Sequence, residues 1–364
     1  MKKFFRSISF IIAFISAFML LGATATAYIN PVKLYVFTLA GFAFPALWLF
    51  NLLLFVCFLP RRRWLSLMPL LVVLLTLGHW NNTFQMKGRT LDEKKISGKP
   101  LKIMSYNTRM FDYYRHSGAE ETPEMMYDLV IRHDPDVICF QEFYSNIMRP
   151  QFNPSYLMSR FKQYKFKHIE YTYKSHSGSG LATFSKYPIA DKGDIRFEQS
   201  GNMSIYTDIN VQGKTIRIFN NHLESIGIRD ADLTALDNPE LRLNDEQKRG
   251  IRRVFRKLNR AFAMRANQSE IIATHITNSP HPVIVCGDFN DTSVSYVYNT
   301  MRGNLKDAFR ESGVGFGGTY NGKLPSFRID YILHSPEFDS YNFERFQVKY
   351  SDHFPIMTTI DLKQ

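Results

Sequence analysis

Four short polar segments lie at the ends of apolar runs: Gln141-Glu142, Asn220-Asn221-His222, Gly287-Asp288-Phe289-Asn290 and Ser351-Asp352-His353. Carboxylates, amides and imidazoles are the hard oxygen ligands and proton-transfer groups of divalent-metal phosphoester chemistry. Glu142 follows the apolar residues 137–140 and Gln141, so a buried strand end could hold its carboxylate as rigidly as a metal ligand requires. Asp288 and Asn290 follow the equally apolar 283–286 at a spacing of two, which places both side chains on one face of extended backbone. Asp288 can orient or deprotonate a water, and the Asn290 amide can donate to a phosphoryl oxygen without adding negative charge. Asn220 and His222 repeat that spacing after 216–219, where an imidazole could donate a proton and ordinary packing is the plainer alternative. Asp352 beside His353 joins a carboxylate to an imidazole, a pairing that can fix the tautomer. Clustered Cys and His ligands of a zinc site are missing from the sequence.

The elements that must position these residues are short β-branched and aromatic runs separated by polar turns. Strands are expected over 101–106, 137–140, 181–184, 203–211, 215–220, 283–286, 331–333 and 356–360, with Gly213 turning the fourth into the fifth. Helices are expected over 123–133, with Thr122 as N-cap and Pro123 at the first position, and over 245–277. Paired strands with interspersed helices favour a two-sheet α/β domain with helical cover over a single parallel sheet. The long helix carries Lys248, Arg249, Arg252, Arg253, Arg256, Lys257 and Arg260, which read either as a solvated face or as a surface for anionic headgroups or a polyanion. Before it, 227–246 breaks periodicity.

With these motifs in order, the chain resembles the endonuclease/exonuclease/phosphatase superfamily, which includes DNase I, apurinic endonucleases, bacterial neutral sphingomyelinases and inositol polyphosphate 5-phosphatases. The resemblance spans roughly residues 100 to 362 and rests on Met104-Ser-Tyr-Asn107, Gln141-Glu142, the 178–189 segment, Asn220-Asn-His222-Leu, Gly287-Asp288-Phe-Asn290, Arg328-Ile-Asp330-Tyr-Ile and Ser351-Asp352-His353. It implies a four-layer α/β sandwich with two central, mainly antiparallel sheets, and a Mg2+-dependent phosphoesterase, with Mn2+ as an alternative ion. By the same resemblance Glu142 is the principal metal ligand, with Asn107 beside it and Asp352 reaching the ion directly or through water. Asp288 aligns or activates the attacking water, Asn290 holds the phosphoryl group, and His353, oriented by Asp330, contacts the scissile phosphate. His222 matches a second histidine of the DNase and sphingomyelinase branches.

Residues 1–80 read differently. Apolar runs at 9–28, 34–59 and 64–80 are expected to be three membrane spans, the third near the lower length limit, with a cleaved signal peptide as the alternative for the first. Lys2, Lys3 and Arg6 before the first run and Arg61, Arg62 and Arg63 after the second orient a three-span protein so that the rest of the chain faces outward. The resulting expectation is a multi-pass bacterial inner-membrane protein in contact with the lipid bilayer, a linker at 81–100 and a periplasmic catalytic domain at 101–364. Formal net charge is +12, but residues 1–63 hold seven basic and no acidic residues, leaving 38 basic against 33 acidic, too mild to demand nucleic acid. Cys57, Cys139 and Cys286 all lie in apolar runs and imply no disulfide framework.

Several phosphate esters remain open as substrate. His222 departs from the apurinic-endonuclease pattern and shifts weight toward DNase-like, lipid phosphodiesterase or phosphatase chemistry. Arg149, Lys162, Lys165 and Lys167 with Tyr164, Phe166, Tyr171 and Tyr173 could form a basic, aromatic substrate rim or ordinary solvent-facing strands. Tyr171, Asn220, Asn290 and His222 are the candidate substrate contacts. Nucleic acid is favoured over a phospholipid head group; a non-catalytic membrane scaffold is the reading from another class. No obligate protein partner is implied.

Overall fold

The computed structural model describes residues 2–33, 35–60, 62–92, 100–227, 245–322 and 325–362. Its contacts divide the chain into two units, one of Asn81–Leu223, Ile271–Ser293 and Thr300–Gln364, the other of Met1–Trp80, Glu224–Glu270 and Val294–Asn299.

In the first unit one six-stranded sheet orders β13 (Asp339–Arg345), β14 (Ile356–Asp361), β2 (Pro100–Asn107), β3 (Val137–Asn146), β5 (Ser177–Ser185) and β4 (Phe166–Lys174). The other orders β10 (Lys306–Asp307), β12 (Asp330–His334), β9 (Val283–Asp288), β8 (Lys214–His222), β7 (Met203–Val211) and β6 (Ile189–Arg196). Both are mixed: β2 runs parallel to β3, and β8 parallel to β9, with antiparallel neighbours otherwise. Alternation builds the layers. Leu101, Ile103, Val137 and Cys139 pack with Ile209, Ile216, Ile218, Ile284, Cys286 and Ile332 in the space between the sheets. The intervening Met104, Tyr106, Ile138 and Phe140 turn the other way and pack against Met126, Tyr127 and Leu157 of the helices Thr122–His133 and Pro154–Arg160. An α/β sandwich with mixed sheets is therefore present, as the strand pattern implied.

Local chemistry differs from expectation at two points. Thr122 is the first residue of its helix rather than its cap, and its hydroxyl meets Ser117 Oγ at 2.7 Å. Residues 81–92, read as the start of a linker, carry β1 (Phe84–Gln85), which pairs with β11 (Gly315–Phe316). There the Phe84 and Phe316 rings lie 4.9 Å apart.

The second unit corrects the membrane topology. Among the described residues only Ser7–Ala25, 19 residues, is a helix long and apolar enough to cross a membrane. The second run breaks into helices Tyr35–Phe42 and Phe44–Phe58 of 8 and 15 residues, Pro45 lying just inside the latter. The third run gives Arg63–Leu75, 13 residues with Pro69 inside it. At 1.5 Å per residue, 15 residues reach about 22 Å, short of the ~30 Å hydrocarbon layer. The multi-pass inner-membrane arrangement, and the periplasmic placement derived from it, is overturned. Instead Ala17, Leu20, Phe44, Trp48, Val72 and Val294 form one cluster, Thr26 Oγ1 donates to the Val294 carbonyl at 2.9 Å, and Asn30 Nδ2 donates to Glu270 at 2.9 Å. Segments 240 and 268 residues away in sequence thus complete this unit. The aperiodic 227–246 stretch falls almost wholly outside the described residues.

Gly287 allows β8 and β9 to meet. It has φ +138°, and an added Cβ would lie 2.1 Å from the Asn221 carbonyl oxygen. Gly287→Ala is expected to lower unfolding free energy by more than about 3 kcal/mol, whereas Gly213→Ala, with φ +92° and open space around it, should cost about 1 kcal/mol. Urea melts of the two variants check the difference.

Candidate active site

The two parallel strand pairs end together. In register, Asn107, the last residue of β2, faces Gln141, where the parallel pairing stops while β3 runs on to Asn146, and His222 faces Asp288 at the end of β8 and β9. The antiparallel partner β12 starts at Asp330, directly opposite Asp288. Each sheet thus delivers its polar residues to one edge of the sandwich.

Asp288 lies at the middle of the group and is 1% exposed. Its Oδ2 accepts from Asn107 Nδ2 at 3.0 Å and from Asn290 Nδ2 at 3.2 Å, while Oδ1 accepts the Asn290 backbone N–H at 2.8 Å. The Nε2 atoms of His353 and His222 both lie 3.7 Å from the same Oδ2. Burial raises the Asp288 carboxyl to about 6, the neighbouring Asp330 adding to the rise while the two histidines oppose it. His353 Nδ1 is held by Asp330 at 2.9 and 3.1 Å. Burial works against the imidazolium, but Asp330 and Asp288 outweigh it and hold the His353 pKa well above the usual histidine value.

Glu142 stands on a β-bulge. The β3–β5 register shifts between Phe140 and Phe143, and Glu142 has φ +51°, a left-handed conformation uncommon for a residue with a Cβ. The bulge aims its carboxylate away from the sheet: Oε1 lies 3.5 Å from Asn107 Nδ2 and 3.8 Å from His222 Nε2. Burial and then Asp352 raise its pKa. Asp352 is 3.5 Å from Arg109 Nε, and the adjacent Ser351 Oγ donates to the Asn107 carbonyl at 2.9 Å.

The residues expected from sequence therefore divide. Asn107, Glu142, His222, Asp288, Asn290, Asp330 and His353 meet in one place, with Asp352 beside them. Asn290 is there in a different capacity: both its amide contacts are internal, to Leu223 O at 2.9 Å and to Asp288, so it braces the carboxylate instead of offering its N–H to a phosphate. Asn220 is corrected outright. It is fully buried between the sheets, donating to Phe140 O and Ala182 O at 3.1 Å and accepting from Gln141 Nε2 at 2.7 Å; it ties the sheets together beneath the site and cannot reach substrate. Tyr171 directs its hydroxyl to Ser145 at 2.9 Å, further along β3 than Glu142. Arg109 was not foreseen; only its position two residues beyond Asn107 could have pointed to it.

The donor set fits a divalent ion. Asp288, Asp330 and His353 present ligand atoms within 4.8 Å of one another, and Glu142 and Asp352 add carboxylates in partial contact with solvent. Burial raises both Asp288 and Glu142, and a divalent cation among these oxygen donors would favour their ionised forms.

The profile of the Endonuclease/Exonuclease/phosphatase family matches residues 104–353. The chain belongs to this family. A second profile, a domain of unknown function, matches residues 2–83. No curated protein matches the chain. Among solved structures, an endonuclease/exonuclease/phosphatase from Beutenbergia cavernae is 17% identical, with TM-score 0.53, over 73% of this chain and 72% of that one. A humanized D. rerio TDP2 is 17% identical, with TM-score 0.51, over 72% of this chain and 98% of that one. The human Nocturnin catalytic domain is 17% identical, with TM-score 0.50, over 72% and 94%. At such identities these structures share the fold. Family membership together with the carboxylate–histidine group makes this member a metal-dependent hydrolase.

Replacing Asp330 with Asn removes the anion that holds His353 in its protonated, oriented state. Turnover in Asp330→Asn is expected to fall about 10²–10⁴-fold with KM little changed, measured by steady-state kinetics on a chromogenic phosphodiester.

Proposed function

We propose that this hydrolase cleaves phosphodiesters and that its substrates are nucleic acids. One observation supports the diester reading above the others: a single buried carboxylate oxygen of Asp288 is flanked at equal distance by two imidazoles, one from each side of the site. Asp288, raised toward neutrality, takes the proton of the attacking water. His353, kept protonated by Asp330, donates to a non-bridging oxygen as negative charge builds. His222, reaching Asp288 and Glu142, stands where the leaving oxygen of a diester needs a proton. Asn107 and Asn290 hold the carboxylates without adding charge.

Glu142 is the principal seat proposed for Mg2+, with Asp352 adjacent and buried Asn107 beside them, because the two carboxylates are oxygen donors in partial contact with solvent, whereas His353 spends Nδ1 on Asp330. When bound, the ion withdraws charge from the phosphoryl oxygens and lowers the barrier to attack. A lipid head-group diester is the competing reading, supported by the exposed apolar side chains Phe14, Phe18, Leu53 and Leu71 of the N-terminal helices.

The full chain should hydrolyse bis-p-nitrophenyl phosphate and oligonucleotides with Mg2+, lose activity in EDTA, and regain it with Mg2+ or Mn2+. His222→Ala should lower oligonucleotide turnover about 10²-fold or more while sparing bis-p-nitrophenyl phosphate, whose p-nitrophenolate leaves without a proton. Release of phosphocholine from phosphatidylcholine, with oligonucleotides left intact, would replace nucleic acid by lipid as the substrate class.

A further inference from the structure

Next to the catalytic edge lies a cavity of about 630 Å³ whose lining includes Tyr113, Tyr114, Arg115, Arg149 and Phe152, within the size range of ligand sites. Its walls grow out of the site itself. One is the loop that leaves β2 at Asn107 and passes Arg109; the other leaves β3 at Asn146, four residues beyond Glu142. Four extended residues cover about 13 Å, the length of about four stacked bases at 3.4 Å each.

The lining is built for planar groups. Tyr113 is fixed by Tyr144 and Phe152, with ring centroids 4.6 and 5.4 Å away. Tyr114 meets Tyr113 edge-on at 5.2 Å and is 66% exposed, leaving an open aromatic face. Local acids already have partners: Asp112 is buried and accepts the His116 N–H at 2.8 Å and the Ser117 N–H at 3.2 Å, and Glu120 pairs with Arg115. Arg149 stands exposed at the rim. The loop is also rigidly set. Arg109, Met110, Phe111 and Asp112 all have φ between +47° and +58°, a costly left-handed turn that fully buried Phe111 anchors through its contacts with Tyr127, Phe140 and Phe143.

We infer that this cavity is a nucleobase subsite: a base stacks on Tyr114, and Arg149 meets the backbone phosphate, so that single-stranded nucleic acid is gripped to one side of the bond being cut. Stacked rings with a guanidinium suit a base and its phosphate. The inference rests on the nuclease reading and adds where the strand lies.

Steady-state kinetics of the full chain on a thymidine hexanucleotide and on bis-p-nitrophenyl phosphate tests it. Tyr114→Ala and Arg149→Ala should each raise KM for the hexanucleotide roughly tenfold, Tyr114→Phe should restore it, and bis-p-nitrophenyl phosphate, too small to span from Glu142 to the cavity, should be turned over within about twofold of wild type. An unchanged hexanucleotide KM in an active enzyme overturns the subsite alone, as does a parallel loss on both substrates. If the wild-type chain cleaves the small diester but not the hexanucleotide, the nuclease reading and the subsite fall together.

Discussion

The site depends on two sheets being held in register at one edge, and buried amides do this. Gln141 of β3 donates to Asn220 of β8, and Asn220 returns two hydrogen bonds to backbone carbonyls of β3 and β5. One layer above, Asn107 of β2 donates to Asp288 of β9. An apolar interface between sheets resists separation but tolerates sliding; amides buried with specific partners do not, because a slip leaves each polar group unsatisfied at a cost of about 1–3 kcal/mol. Catalytic geometry must hold to within about half an ångström, which an oily interface alone would not secure.

That constraint explains why the functional carboxylates occur at the ends of the parallel pairs. Parallel pairing stops at the same edge in both sheets: β2 ends at Asn107 beside the Gln141–Glu142 bulge of β3, while β8 and β9 end at His222 and Asp288. The bulge at Glu142 and the close approach at Gly287 are the local departures from regular sheet that turn these side chains toward one another.

Much of this was legible in the sequence because the central strands are continuous apolar runs ending in polar residues. Strand β7 and the long helix have the bounds read from pattern alone, Met203–Val211 and Asp245–Thr277. Strands β6 and β13 escaped because both lie at sheet edges, where Ile-Ala-Asp-Lys-Gly-Asp-Ile-Arg and Asp-Ser-Tyr-Asn-Phe-Glu-Arg carry no apolar run. Within the site, residue type identified the carboxylates and histidines, but neither Arg109 beside Asp352 nor the division of labour among the asparagines. Asn220 and His222 share a face of β8, and only the fold shows that the facing sheet covers Asn220 while His222, the last residue of the strand, reaches the site. The N-terminal runs misled for a related reason: hydropathy records how apolar a segment is, while Pro45, Pro69 and the breaks between helices decide how far it extends.

The central claim is that side chains from both sheets serve one hard cation. Anomalous diffraction from crystals of the full chain soaked in Mn2+ tests it most directly. The account predicts a peak about 2.0–2.3 Å from a Glu142 carboxylate oxygen, on the side facing Asn107 and Asp288, and its disappearance in Glu142→Gln. Mn2+ bound only at a place remote from both Glu142 and Asp288, or unaffected by that substitution, would contradict it.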